Sequence, residues 1–388
     1  MINLRLKRFF QYALLGEELR LAENVIITTE NGFIIQIDEN ASFRSAEEVF
    51  SDSLVIPAFV NAHTHLGDVV AKEAAWNATL DEAVGTNGVK FRKFREEAAH
   101  VPKAIHAILQ NMAQCGVAAF VDFREGGIEG VSLLRKQTED YPGKAVILGR
   151  PSSDDSEMDA IISSSDGLGL PTTTYFSDKE LQNIQTKVHQ SRKPLAVHCA
   201  ETIEERERSL ELYNQNDVLR AIHLLGADTL IHMTHATPED LLIVKKHDIS
   251  LVFCPRSNAY FSTGFPPVQE ALDLKIPAAL GTDNVMVNHP DPLQEARWLA
   301  LQLRLRGKKP TPQEILSMIT VNPASIFNLA SGALAIGKRA DLVTIDLTSP
   351  RTAYCDDPLL ALLMRATPED YLLVSYGDNV VFSRKKRS

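Results

Sequence analysis

Two histidines one residue apart, His63 and His65, close an apolar run that begins at Val55. In an extended chain residues i and i+2 point to one face, so both imidazoles project together. Neutral imidazole is the commonest protein metal ligand, and such a pair opens a metal site. Short pairs of this kind also recur by chance, so the weight lies further along the chain. His198 ends a second apolar run, with Glu201 close behind it in His-Cys-Ala-Glu. His232 ends a third, with His235 nearby, and Asp283 ends a fourth in Leu280-Gly281-Thr282-Asp283. Each has a plain structural explanation when taken alone: an interior histidine with a hydrogen bond, a helix cap, a glutamate placed well at a helix N-terminus. Four strand ends that all carry ligand-type side chains are poorly explained as coincidence. His63, His65, His198 and Asp283 form a set that suits one divalent ion with a position left for water. Zn²⁺ is the first choice, and Fe²⁺ is also compatible.

These residues meet only if the strands carrying them share one end. From Ile56 onward, strand-like runs alternate with helical stretches. Eight candidate strands start at Val55 and include residues 117–123, 146–149, 167–170, 195–198, 229–233, 250–254 and 277–283. Apolar residues at helical spacing predict helices over 102–114, 181–191, 204–214, 238–246, 268–274, 292–305 and 311–319. That alternation is the signature of a (β/α)₈ TIM-like barrel, whose chemistry sits at the C-terminal strand ends. An open doubly wound sheet is the alternative, but no Gly-rich phosphate turn follows the first strand. The chain ends have a β texture. Residues 22–29 and 33–37 flank Asn31-Gly32, a strong hairpin signal, and 332–346 and 379–382 read as turn and short strands. The expected division is a barrel over 55–330, with 1–54 and 331–388 joined in one small β-sandwich. The polar stretches 152–156 and 163–166 are expected at the barrel mouth.

Composition narrows the partners. The chain of 388 residues is 44% hydrophobic, enough for a sizeable core. A formal net charge of −10 disfavours a nucleic-acid polymer. Cys115, Cys199, Cys254 and Cys355 are scattered without a Cys-x-x-Cys pair, which suits reduced thiols in a cytoplasm. Met1–Arg8 breaks its apolar residues with charges, and no window approaches the roughly 18 apolar residues of a membrane span. The expectations are a cytoplasmic protein with a small-molecule substrate and no membrane partner. A homo-oligomer is left open.

The motifs together resemble the amidohydrolase superfamily, in its branch of cytosine, guanine and adenosine-type deaminases. The matching pieces are Pro57-Ala58-Phe59-Val60-Asn61-Ala62-His63-Thr64-His65, Val197-His198-Cys199-Ala200-Glu201 and Ile231-His232-Met233-Thr234-His235. They continue with Phe253-Cys254-Pro255-Arg256-Ser257-Asn258, Leu280-Gly281-Thr282-Asp283-Asn284 and Gly337-Lys338-Arg339-Ala340-Asp341-Leu342. They span almost the whole chain in family order. The resemblance implies the barrel-plus-sandwich architecture and makes His63, His65, His198 and Asp283 the metal ligands. It makes Glu201 the acid/base, His232 the histidine facing the activated water, and Asp283 a base as well as a ligand. Asn258 is implied either to contact substrate or to brace its loop, with bracing preferred. Binuclear relatives carry a carboxylated lysine at the fourth strand end; none lies within 160–176, which favours a single metal. The 122–127 turn and the 88–92 loop match no substrate contact of the family, and their charges are expected to be solvated.

The function expected from this resemblance is hydrolytic deamination of a small nitrogen heterocycle, a purine or pyrimidine base, nucleoside or related amidine, with release of ammonia. One alternative keeps the site but opens a cyclic amide, as imidazolone-type hydrolases do, or displaces another leaving group. A non-catalytic scaffold ranks last, because all four ligands and Glu201 are present.

Overall fold

A computed structural model describes residues 5–151 and 155–384, with only the backbone described at Asp155 and Ser156. The N-terminal segment forms β1 (Arg5–Leu15), β2 (Arg20–Glu30), β3 (Phe33–Asp38) and β4 (Glu48–Pro57). The hairpin between β2 and β3 turns at Asn31 and Gly32, whose φ values of 51° and 79° are those of the left-handed region that Asn-Gly favours. Next come the barrel strands β5 (Phe59–His65), β6 (Val117–Arg124), β7 (Lys144–Gly149), β8 (Gly167–Leu170), β9 (Leu195–Cys199), β10 (Thr229–His232), β11 (Ser250–Phe253), β12 (Ala278–Leu280) and β13 (Asp283–Asn284). The chain ends in β14 (Leu342–Asp346), β15 (Tyr371–Tyr376) and β16 (Asn379–Ser383).

The strands β5 to β13 pair in parallel, in the order β12-β11-β10-β9-β8-β7-β6-β5-β13. The two ends of that order, β12 and β13, are consecutive pieces of one strand interrupted at Gly281-Thr282, so the sheet closes into a barrel. Their interruption differs from the single strand expected over 277–283. Gly281 explains it: a Cβ there would stand 2.4 Å from His63 Cβ, so the backbone of the eighth strand passes directly over the first metal-ligand candidate. Outer helices are started by local caps. Ser177 with Glu180, Thr237 with Asp240 and Thr311 with Glu314 form capping boxes ahead of helices Asp178–Ser191, Pro238–Lys246 and Pro312–Ser317.

The terminal segments build one mixed seven-stranded sheet, ordered β16-β15-β14-β4-β1-β2-β3. It curls until its end hairpins meet, with Gly32 packed against Gly377. Its inner face closes over Phe10, Val25, Ile34, Val55, Leu342 and Leu373. Its other face docks on the barrel, where Tyr376 donates to Ala113 O at 2.7 Å and Gly116 leaves room for Val343.

Two boundaries differ from expectation. The run starting at Val55 is shared between two sheets: β4 continues past residue 54 to Pro57, opposite Leu342, and β5 begins at Phe59. Residues 53–57 of β4 and all of β5 are buried on both faces, so no change of polarity marks the handover. The second difference is β15, an apolar strand with no alternation that stands buried along its whole length. The polar residues 163–166 lie where helix Asp155–Ser164 leads into β8, at the opposite end of the barrel from the mouth. The other polar stretch falls at Ser152–Asp154, outside the described residues.

Candidate active site

The structure brings His63, His65, His198, Glu201, His232 and Asp283 to one end of the barrel. Nitrogens of His63, His65 and His198 all lie within 4.8 Å of one another. Asp283 Oδ1 stands 3.2 Å from His63 Nε2 and 3.5 Å from His65 Nε2. The hydrogen bonds behind the rings decide what faces inward. His65 Nδ1–H donates to Phe123 O at 3.1 Å, and His198 Nδ1–H donates to Leu170 O at 2.8 Å. With those nitrogens protonated, each Nε2 carries a bare lone pair, yet the two Nε2 atoms are only 3.4 Å apart. Neither ring nitrogen of His63 has a hydrogen-bond partner although the residue is fully buried. Burial, helped by neighbouring histidines, drives His63 down to about 3 and His198 well below its usual range. Burial, with Lys90 beside it, also lowers His65. All three rings are therefore neutral at neutral pH, and the Nε2 lone pairs of His65 and His198 face one another with no proton between them. A cation shared with a carboxylate satisfies that arrangement, and the donor set of three nitrogens and an oxygen fits a divalent ion.

Asp283 stays ionised. Burial opposes its charge, but the His63 ring close beside it and the nearby histidines hold it well below the usual carboxylate range. Ser257 Oγ donates to its Oδ2 at 2.5 Å and Asn284 Nδ2 donates to its Oδ1 at 2.9 Å, which aims the carboxylate. Glu201 has the opposite character. Its side chain is 20% exposed at the cavity wall, and burial raises its pKa. Its Oε1 lies 3.5 Å from His232 Nε2. His232 Nδ1–H donates to Asn258 Oδ1 at 2.9 Å, which leaves Nε2 as the lone-pair face toward the cavity.

Asn258 is placed behind His232 and not on the cavity wall. It is 1% exposed, and its amide nitrogen donates to Thr234 Oγ1 at 2.7 Å, so both ends of the amide are engaged. His235 lies beyond the strand end, its Nε2 2.6 Å from Thr263 O. Four non-glycine residues at these strand ends adopt left-handed backbone: Ala200 at φ 48°, His232 at 70°, Met233 at 50° and Asp283 at 61°. Such conformations cost energy and cluster at functional sites.

The solvated charges expected at 88–92 and 122–127 are not what the structure holds. Val89–Glu96 is a helix, and Lys90 and Glu125 are 2% and 3% exposed. Lys90 Nζ lies 2.5 Å from Glu125 Oε1, and that same oxygen lies 2.9 Å from His65 Nδ1. The signal was available at Glu125, a carboxylate just past a strand end, as at Asp283; Lys90 gave none. Cys254 was also missed: its sulfur lies within 4.8 Å of His63 and His232, and burial keeps it a neutral thiol. A cavity of about 780 Å³ opens above the cluster, walled in part by Glu201, Thr172, Tyr175, Arg150 and Phe261.

Residues 54–375 match the model of the Amidohydrolase family. The chain belongs to that family. It is 36% identical to an uncharacterized protein of Methanocaldococcus jannaschii, over 86% of this chain and 87% of the other. It is 27% identical to the 5-methylthioadenosine/S-adenosylhomocysteine deaminase of Pyrococcus furiosus, over 92% and 90% of the two chains. Among solved structures, a zinc-bound adenosine deaminase from Xanthomonas campestris superposes with a TM-score of 0.84 at 20% identity, covering 96% of this chain and 92% of that one. The fold is thus the barrel with a small added domain that the motifs implied. Membership of that family makes the protein a hydrolase of carbon–nitrogen bonds, and its histidine cluster is a candidate site for a divalent metal. Among the described residues no helix is long and apolar enough to cross a membrane.

Proposed function

We propose that this amidohydrolase deaminates an amino-substituted nitrogen heterocycle, a purine or pyrimidine base, nucleoside or related amidine, and releases ammonia. The observation that carries the reading is the pairing of a lone-pair-lined metal cradle with a carboxyl group of raised pKa. His63, His65, His198 and Asp283 would hold the ion, and zinc fits their three nitrogens and one oxygen. When bound, such an ion brings the pKa of water from 15.7 toward about 7. Asp283, ionised and aimed by Ser257 and Asn284, accepts the proton from the attacking water. His232, its tautomer set by Asn258, presents Nε2 to orient that water. Glu201, kept protonated to higher pH by burial, gives its proton to the ring nitrogen beside the carbon under attack. Asp283 then gives the water's proton to the amino group, which leaves as ammonia while Glu201 takes back a proton from the remaining hydroxyl. The 780 Å³ cavity is large enough for a nucleoside-sized substrate.

An ammonia-release screen of zinc-reconstituted protein over purines, pyrimidines, their nucleosides and pterins tests this. Ammonia from at least one of them is the expected result. Silence across the panel, with hydrolysis of a cyclic amide instead, would replace deamination by ring opening.

A further inference from the structure

Lys90 belongs to neither the metal cradle nor the acid/base pair, yet it reaches both sides of the cradle. It comes from helix Val89–Glu96, in the stretch that crosses the mouth between β5 and helix Val101–Gln114. Its ammonium is 2.5 Å from Glu125 Oε1, 3.2 Å from Asn284 Oδ1 and 3.6 Å from Asp68 Oδ2. Glu125 Oε1 lies 2.9 Å from His65 Nδ1, and Arg150 Nη2 is 3.8 Å away from the same oxygen. Asn284 Nδ2 donates to Asp283 Oδ1 at 2.9 Å. One buried cation therefore stands a single side chain away from His65 on β5 and from Asp283 on β13.

We infer that Lys90 is a positioning residue for the metal centre, acting on His65 through Glu125 and on Asp283 through Asn284. Glu125 presents a negative oxygen to the outer nitrogen of His65, which makes the inner nitrogen a better electron-pair donor. Asn284 has its carbonyl held by Lys90, which turns its amide hydrogens toward Asp283. Partners of this outer kind commonly govern metal affinity by 10–100-fold when removed. The sequence offered no hint of it, because Lys90 is 27 and 25 residues from the two histidines and 193 from Asp283 only in number; the helix over the mouth brings it in.

The inference rests on the metal site proposed above, and the test separates the two. Zinc affinity is measured by competition with a chromophoric chelator, alongside the melting temperature of the metal-free protein. The unaltered protein should bind one zinc, and His63→Ala should bind none; no zinc in the unaltered protein would overturn both readings. Lys90→Met should bind zinc about 10–100-fold more weakly. Because Lys90→Met leaves Glu125 unpaired, the double variant Lys90→Met with Glu125→Gln removes both charges together and serves if the single variant does not fold. It too should bind zinc at least about tenfold more weakly, and its cobalt-substituted form should show a shifted visible d–d spectrum. A double variant with unaltered zinc affinity and an unaltered cobalt spectrum, whatever its melting temperature, would reduce Lys90 to a structural ion pair and overturn the inference alone.

Discussion

His63, buried and without a hydrogen-bond partner for either ring nitrogen, sets the terms at the scale of single residues. A histidine in that condition is costly unless something cationic satisfies it. His63→Ala is therefore expected to abolish metal binding, read as zinc per chain by elemental analysis. Glu201 makes a different contribution, since burial raises its pKa and its acid form persists to higher pH. Glu201→Gln should keep the metal and lose turnover by about 10²–10⁴-fold, the usual range for a positioned proton donor. A variant with near-normal kcat would remove Glu201 from proton transfer. Because the protonated group starts the reaction, kcat/KM should fall as pH rises through the pKa of Glu201. These residues were all legible in the sequence, because ligand-type side chains at strand ends stand out against apolar runs. Lys90 was not: a lysine in a helix looks solvated until a neighbour buries it.

Elements decide whether those residues meet. The eighth strand is broken at Gly281, and the gap is where the chain passes over His63. Gly281→Ala would place a methyl 2.4 Å from His63 Cβ and force β12 away from β5. Overpacking of this kind typically costs about 1–3 kcal/mol, and the expected signs are a lower melting temperature and weaker zinc binding. Helix Pro292–Leu305 carries Glu295, fully buried, with Oε1 accepting from Arg256 N at 2.7 Å and Oε2 without a hydrogen bond. Burial pushes its pKa from 4.5 up to about 8, against the Arg256 guanidinium 3.8 Å away. The folded state thus binds a proton that the unfolded chain has released. Its stabilising share is whole below about pH 4.5 and is lost as pH rises through about 8. Glu295→Gln keeps the acceptor oxygen and removes the titration. Thermal melts should show the variant level with the parent at pH 5 and more stable at pH 8, by on the order of 1–3 kcal/mol.

At the scale of the molecule the barrel is closed at the same place where the metal cradle is built, since β13 pairs with β5 at Asn284 and His65. A metal that binds only the folded state stabilises it by mass action, about 4 kcal/mol at a free concentration one thousand times Kd. Removing it with a chelator should lower the melting temperature, while His63→Ala should melt alike with and without added zinc. Equal melting of stripped and loaded parent protein would detach the cradle from barrel closure. The terminal sheet contributes no side chain among those named at the site. It buries the lower side of helix Val101–Gln114 through Tyr371 and Tyr376, and so holds the helix that follows the mouth segment.

What the sequence determined by itself was the local order of things: which runs become strands or helices, and which strand ends carry imidazole or carboxylate. Periodicity and end residues are properties of short stretches, so β9, the helix Pro238–Lys246 and the positions of His198 and Asp283 could be read directly. Only the tertiary structure decided where an unbroken apolar run changes sheets at Ala58, because burial on both faces erases the pattern that would mark it. It also decided that Lys90 and Glu125 are buried partners and that Asn258 faces His232. Those contacts join residues distant in the chain, and their energies exist only once the barrel has excluded water from between them.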